Sequence, residues 1–509
     1  MTDGQDQKTE TSAPHDLVAQ ALRSLRHGYF ADARSYIQTY AADHKREEQH
    51  YLIEGLAMLA TADWLAARDL FLQACTDFPD HAQFWFNRGL AEENLDQLNE
   101  AIASYQRCLT LKPELGEAFG NLSNIFRRQK RFPEAVQMAC RALASGADKA
   151  GSLNVLALAL GKQGNFSEAE KALDEAITLA PDDASILANR ANLAVDQLKF
   201  DEAWEYFSAA RARDKSAIIQ RDEGMAHLLA GDYGKGLPLY ESRLDLPKAL
   251  RIHPDCPRWQ GASLSGKTLL LISEQGFGDT IQFSRYAHTL VEAGANLIWT
   301  VRPPLQRLMA ANVPGRVILE SDPLPETDFW FPILSLPFAL GMTSPIPPAS
   351  PNFRATSLPR LPDAPGKRKI GLVWSGSPTH ERDHERSIPL ASFAPIWDKI
   401  DAQFYAPFKR AAAPLPTAIL PLDRLITDFA DMAALLSQLD CLVTVDTAAA
   451  HLAGALGLPT YLLLPHCPDW RWGTKGETTP WYESLTLVRQ PSYGDWKSVI
   501  QKMLATLSS

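Results

Sequence analysis

A 34-residue period runs through the first half of the chain and constrains its fold more than any other feature. Alanines recur at Ala33, Ala67, Ala101, Ala135, Ala169 and Ala203, each 34 residues after the last. Gly55 and Gly89 share a second position, continued by the small residues Ser123, Ala157 and Ala191. Ala74, Cys108, Ala142, Ala176 and Ala210 hold a third, and Phe71, Tyr105 and Phe207 follow the marker alanine by four. Pro79, Pro113 and Pro181 close three of the units. The period predicts a helix–turn–helix unit: small residues let paired helices approach, and a proline, which lacks the amide for an i→i−4 bond, stops the second helix. One such unit cannot bury its apolar face alone, so the units must stack. A degenerate seventh unit, residues 225–243, fits a terminal repeat that faces another surface.

The period and its small-residue positions resemble the tetratricopeptide repeat family, over about residues 15–245. The resemblance implies a superhelix with a groove that binds a protein or peptide. Asn87, Asn121 and Asn189 share one repeat position. That row is similar to the asparagine ladder of O-GlcNAc transferases, which holds the backbone of a bound polypeptide. Ile53 and Val155 interrupt it, and the alternative is that the asparagines only satisfy local turns and helix ends.

Composition removes several classes. At roughly 100–200 residues per domain, 509 residues predict two to four domains. With 46% hydrophobic and 22% charged residues the chain has a globular balance. A net charge of −10 argues against a broadly nucleic-acid-binding protein. Six cysteines without a CxxC pair make neither a disulfide framework nor a structural zinc site. The polar start lacks the apolar core of a signal peptide. No apolar run reaches the ~18–20 residues of a membrane span, so the expected location is the cytoplasm.

After residue 243 the period gives way to short apolar, β-rich runs alternating with helical ones. Strands are expected at 268–273, 297–301, 317–319, 369–374, 403–408, 441–445, 460–464 and 485–488, with helices between them, at 428–439 and at 447–456. Such alternation predicts parallel sheets covered on both faces. Prolines crowd residues 321–365, where no regular helix is expected. The expected map is a disordered tail at 1–15, a repeat array at 16–245, a first α/β lobe at 246–340, a Pro-rich linker at 341–367 and a second lobe at 368–509. The fold class is multidomain: all-α repeats followed by a two-lobed α/β region with a short first lobe.

Four stretches carry candidate chemistry. Gly261 to Thr268 spells GxxxxGK[ST], but a P-loop needs a strand before it and a helix after it; here a strand follows, so this is not a nucleotide site. Glu274-Gln275-Gly276-Phe277-Gly278-Asp279 lies at the carboxyl end of the first expected strand and opens a helix, where α/β sheets bind ligands. Gly276 and Gly278 allow a tight turn, and Asp279 is either catalytic or the helix cap. Val445-Asp446-Thr447 leads from a strand into a small-residue helix carrying His451; amides at that helix start suit a phosphate, while a lone helical histidine is often structural. Ser375-Gly376-Ser377 follows another strand, and Arg386 offers a phosphate-matched guanidinium within a polar run that is otherwise a solvated loop. Pro468 to Trp472 either stacks a base or sugar or plugs the core.

The Gly276–Asp279 loop, the strand-end Asp446, Thr447 and His451, and the two-lobed pattern resemble the heptosyltransferase-type (family 9) glycosyltransferases of the GT-B fold. The whole layout, over about residues 15–505, resembles bacterial tetratricopeptide-fused glycosyltransferases that modify proteins, flagellin among them. The resemblance implies that Asp279 is the general base. It implies that Asp446, Thr447 and His451 bind the donor's nucleotide-phosphate part; Ser375, Gly376 and Arg386 are the candidate donor contacts read from their own loops, and Gln275, Gly276 and Gly278 belong to the catalytic loop. Ala448 stands where the family has a glycine, the family's phosphate-facing lysine has no clear match, and the first lobe is short. The implied reaction moves a sugar from a nucleotide sugar to a docked protein, without a cofactor or metal, since no Asp-x-Asp anchor is present, and with inversion. Two other readings are a non-catalytic repeat scaffold with a degenerate transferase lobe, and a transferase acting on a glycan or lipid.

Overall fold

The computed structural model describes residues 14–146, 148–247, 249–344, 352–408 and 415–508. The expected tail thus lies outside the described residues except at its end, where a helix already begins at Pro14. Pro345, Pro347, Pro348 and Pro351 of the expected linker also lie outside them. The chain divides into two compact units, Met1–Pro181 and Asp182–Ser509.

Among its described residues, the first unit is ten helices, from Pro14–Arg26 to Phe166–Leu179. The repeat positions explain their pairing. Every marker alanine sits near the start of the second helix of a pair and is fully buried. Gly55 lies on the first helix of its pair because a Cβ there would stand 2.2 Å from the Phe71 ring, and at Gly89 one would stand 2.9 Å from Tyr105. Where serine takes this position, Ser123 Oγ donates to the Ala135 carbonyl at 2.7 Å. The second helices end at Asp77, Leu111 and Leu179, two residues before Pro79, Pro113 and Pro181.

The turns inside the pairs carry a second 34-residue period. Gly28, Ala62, Asp96, Lys130 and Gly164 all have positive φ, and Leu198 continues the series in the second unit. Each is followed by an amide that reaches five residues back, as Asp63 N does to the Met58 carbonyl at 2.9 Å. That bond is the signature of a helix C-terminal Schellman turn.

The second unit begins with four more helices, Ala184–Asp196, Phe200–Arg213, Ala217–Ala230 and Tyr233–Tyr240. The boundary between compact units therefore falls within the repeat array, before these helices, rather than at residue 245. The reason is a shared core. Ala191, Phe207, Leu228 and Tyr240 belong to one buried cluster with Leu269 and Leu271 of the first sheet and Leu442 and Leu462 of the second. Trp470 packs edge-on against Tyr233 and Tyr240, and Arg382 pairs with Asp196 at 3.0 Å.

Both sheets are parallel throughout. The first contains β1 (Thr268–Ile272), β2 (Asn296–Val301), β3 (Arg316–Leu319) and β4 (Phe329–Pro332) in the order β3-β2-β1-β4. The second contains β5 (Arg368–Val373), β6 (Ala402–Ala406), β7 (Ile419–Pro421), β8 (Cys441–Val445), β9 (Thr460–Leu464) and β10 (Leu485–Arg489) in the order β10-β9-β8-β5-β6-β7. Successive side chains point to opposite faces: Leu269 and Leu271 enter the shared core, while Leu270 and Ile272 join Ile298 and Ile318 on the other face.

Several expectations need correction. β4 and the short helix Leu336–Ala339 lie in the stretch read as proline-broken, because a four-residue edge strand survives a terminal proline. The helix expected between the first two strands is split by a 3-10 turn at Ser284–Tyr286. The polar run around Arg386 contains a helical turn, Asp383–Arg386. β7 and the last helix, Trp496–Ser508, were not anticipated. At the P-loop-like stretch, Lys267 Nζ is held by Asp328 at 2.8 Å and leads straight into β1.

Candidate functional site

Chain order reverses direction once in each sheet. In the second, β5 leads outward to β6 and β7, and the chain then crosses back to β8 on the other side of β5. Such a reversal leaves a crevice at the strands' carboxyl ends where α/β proteins bind ligands. The loops that flank it follow β5 and β8, and they hold Ser375, Gly376, Asp446 and Thr447.

After β5, the Gly376 amide donates to Ser387 Oγ at 3.0 Å, and Ser387 Oγ donates to Asp383 Oδ1 at 3.0 Å. Arg386 Nε also reaches Asp383 at 3.3 Å. A Cβ on Gly376 would stand 2.6 Å from Arg386 Nη2, so the guanidinium lies directly over this glycine. After β8, Thr447 caps the helix Ala448–Ala455, its hydroxyl accepting from Ala449 N at 3.3 Å. The positive end of that helix favours an anion. The structure thus brings Gly376, Arg386, Asp446 and Thr447 together at the carboxyl ends of β5 and β8, with Ser375 in the same loop as Gly376.

Asp446 is half-buried. Burial, and next the neighbouring Asp469 carboxylate, push its acid up to about 6, against the pull of Arg386 and Arg471. A protonated Asp446 removes one negative charge from the crevice. Phosphate binding here is therefore expected to strengthen as pH falls through about 6. Nucleotide titrations above and below that pH check this: Asp446→Asn should keep only the slope that comes from the nucleotide's own titration. An unchanged slope in the variant would contradict it.

His451 lies one turn further along and is 5% exposed. Its Nδ1 meets the Tyr482 hydroxyl at 3.1 Å, and its ring stacks on Trp472 with centroids 5.2 Å apart. Burial first, and then the Arg471 charge, push it down to about 3, so it is neutral. The histidine also packs against the first lobe: a Cβ on Gly278 would stand 2.6 Å from His451 Cδ2 and 3.3 Å from Ala448 Cα.

Asp279 joins the two lobes. Its Oδ2 accepts from the Gly276 amide at 2.6 Å, and Oδ1 pairs with Arg471 Nη2. It is therefore a helix-start capping group and half of an ion pair at once. Arg471 also reaches Asp469 at 2.9 Å and Gln282 Oε1 at 2.8 Å. Burial opposes charge on Arg471, but Asp469 and Asp279 hold it protonated. Burial likewise opposes charge on Asp469, and Arg471 overrides it and keeps that acid low. The turn itself differs from expectation: its left-handed residue is Gln275, with φ +57, and neither Gly276 nor Gly278 has positive φ. Gly278 is required for close approach instead.

Arg471, Asp469 and Gln282 were not anticipated. Arg471 and Asp469 lie in the aromatic segment Pro468 to Trp472, for which the sequence offers either a stacking platform or a core plug. Trp470 and Trp472 are 4% and 3% exposed, which makes the segment a plug with charges threaded between its indoles.

The asparagine row is placed as follows. Asn87 is buried, its Oδ1 accepting from Gln83 at 3.2 Å. Asn121 donates to the Tyr105 hydroxyl at 3.0 Å. Asn189 lies on the Ala184–Asp196 helix of the second unit. In Asn87 and Asn121, local bonds occupy part of the amide.

These features define a tetratricopeptide-repeat protein with a parallel α/β region. Residues 4–228 match the profile of the cilia and flagella-associated protein 70 C-terminal domain. The chain is 25% identical to Protein FlbA of Caulobacter vibrioides over 550 aligned positions, covering 99% of this chain and 91% of that protein. It is also 25% identical to the mitochondrial import receptor subunit TOM70 of Homo sapiens over 215 positions, 39% of this chain and 33% of that one. Among solved structures, a tetratricopeptide repeat protein from Parabacteroides merdae aligns with a TM-score of 0.42 at 15% identity, over 46% of this chain and 92% of that one. YrrB, a TPR protein with an unusual peptide-binding site, aligns with a TM-score of 0.27 at 21% identity, over 34% and 91%. Among the described residues no helix is long and apolar enough to cross a membrane.

Proposed function

We propose that the chain is a glycosyltransferase that moves a sugar from a nucleotide sugar to a protein held by its repeats, with flagellin the acceptor class. The observation that supports this most is the convergence of two loops at the second sheet's reversal. There the Gly376 loop, the Arg386 guanidinium and a capped helix start converge, a set suited to a diphosphate. In the proposed reaction the bond from the anomeric carbon to the diphosphate breaks and a bond to an acceptor hydroxyl oxygen forms. Arg386 and the helix start stabilise the charge on the leaving diphosphate. Asp279 takes the acceptor's proton, which requires hydrogen-bond reach of about 2.6–3.2 Å and a shift of Arg471 off Oδ1. The repeats present the polypeptide; matches of the helical half to an import receptor and to a cilia- and flagella-associated protein support a protein-docking role.

One observation favours the scaffold reading: both carboxylate oxygens of Asp279 are already engaged. Incubating the purified full chain with labelled nucleotide sugars and flagellin from the same source, and reading intact masses, separates the two. The proposal expects a sugar-sized mass gain on flagellin that depends on the chain. No gain with any donor contradicts it, and label appearing on glycan or lipid instead moves the acceptor class.

A further inference from the structure

The last repeat pair, Ala217–Ala230 and Tyr233–Tyr240, ends in a 3-10 turn at Glu241–Asp245. Two side chains at this end reach the loop that carries Asp279. Arg243 Nε and Nη2 donate to the two Glu274 carboxylate oxygens at 3.0 and 2.8 Å. The Tyr240 hydroxyl accepts from Gln275 Nε2 at 2.7 Å. The next residue, Gly276, gives its amide to Asp279 Oδ2 at 2.6 Å. Three consecutive loop residues thus lead from the end of the repeats to the Asp279 carboxylate.

Both anchors are themselves held. Arg243, Tyr240 and Glu274 are each 4% exposed. Arg243 also reaches Glu241 and Ser335 Oγ, each at 2.8 Å, and Glu274 accepts from Leu334 N at 3.1 Å. The Arg243 guanidinium lies 4.7 Å from the centre of the Tyr240 ring, so the two anchors brace each other. Side chains locked in this way by packing and further hydrogen bonds can hold a neighbouring group in one geometry.

A second route starts from the same tyrosine. Trp470 packs edge-on against Tyr240, with centroids 6.3 Å apart. Its chain neighbour Arg471 pairs with Asp279 Oδ1. Each oxygen of Asp279 is therefore reached from Tyr240, one through the loop and one through Trp470. The turn at Gln275, with φ +57, also differs from the left-handed turns of the repeats. Those follow a helix, whose Schellman bonds impose them. Gln275 precedes one, and side chains from elsewhere meet it: Tyr240 at its amide, and Arg251 and Arg302 at its carbonyl, at 3.3 and 3.1 Å.

We propose that Arg243 and Tyr240 are positioning residues, which fix the Glu274–Asp279 loop and so set where the Asp279 carboxylate stands. The last repeat pair is then part of the transferase machinery rather than the end of the docking groove. The effect on transfer rests on Asp279 being the base, whereas the hold on the loop does not.

Hydrogen-exchange mass spectrometry of the full chain reads that hold. Tyr240→Phe keeps the ring, and Arg243→Lys keeps the charge but loses the fork. In each variant the amides of residues 276–283 are expected to exchange about three- to tenfold faster, the effect of losing one hydrogen bond on local opening. Those of β8 and β9 are expected to stay unchanged, whereas a merely structural role would speed both sets. Unchanged exchange at 276–283 overturns the proposal, and so does equal acceleration in β8 and β9; Tyr240→Phe decides alone if Arg243→Lys does not fold. In transfer assays kcat should fall by a similar factor with the donor KM unchanged. Adding Tyr240→Phe to Asp279→Asn should lower the rate no further, because a residue that acts through Asp279 loses its effect with it. A further fall there overturns the positioning role. If the unaltered chain transfers no sugar, the transferase reading fails, and the exchange rates still decide whether the end of the repeats holds the loop.

Discussion

Arg471→Ala destabilises the second unit by about 3–5 kcal/mol, the cost of breaking a buried ion pair from one side. The side chain is 6% exposed, and its partners Asp279 and Asp469 are 15% and 33% exposed. Removing the cation leaves Asp279 and Asp469 facing each other's charge and Gln282 Oε1 without its donor. The loss is larger than for a surface pair, which contributes about 0–1 kcal/mol, because little water reaches these groups. Denaturation followed by tryptophan fluorescence reads it well, since Trp470, Trp472 and Trp481 are all buried in this unit. A loss under about 1 kcal/mol would mean that water replaces the guanidinium freely and that the lobes are not joined through it. A double variant with Asp279→Asn should lose less than the sum of the two single changes, as interacting neighbours do.

Asp279→Asn separates chemistry from architecture. The amide oxygen still accepts from Gly276 N, so the turn that starts the helix survives. What disappears is a proton acceptor and one half of the pair with Arg471, which keeps Asp469. If Asp279 is the base, transfer falls by about 10²–10⁴-fold, while nucleotide binding at the second sheet is unchanged. Initial rates at saturating donor, together with nucleotide titration, check both halves. Full activity in the variant would leave Asp279 as a capping and pairing residue only. Comparable loss of nucleotide binding would mean that the change disturbs the packing of Gly278 against Ala448 and His451.

The repeat array was legible because its signal is steric. Positions that must be small or bulky for helix pairs to close, such as Ala67, Gly55 and Phe71, recur in type. The turn residues of the same repeats recur only in conformation. Glycine, alanine, aspartate, lysine and leucine occupy the left-handed position, since the Schellman bonds around it impose the geometry whatever the side chain. No period in residue type marks it. The strands β8 and β9 were legible to the residue as apolar runs buried on both faces. β4 was hidden by its own proline and by the prolines around it, and β7 by its three-residue length.

The crevice was legible in part. Ser375, Gly376, Asp446 and Thr447 stand at strand ends, and a strand end followed by a helix can be read from hydrophobic pattern alone. Arg386 joins them because Gly376 leaves room for its guanidinium. The Asp279–Arg471 pair joins residues 192 apart and has no local signal at all. The burial of His451 follows from the closeness of Gly278, a contact between lobes that spacing within one helix cannot reveal.

Binding of nucleotides to the purified full chain tests the central claim most directly. UDP, ADP, GDP and CMP are compared by thermal shift, each well above its dissociation constant. A ligand at 100 times that constant stabilises by roughly 2.7 kcal/mol, a shift of several degrees in a unit of this size. The account predicts such a shift with one base and not the others, abolished by Arg386→Ala and retained in Asp446→Asn. No shift with any of the four, in protein that is folded and monodisperse, would contradict a nucleotide-sugar site at the second sheet.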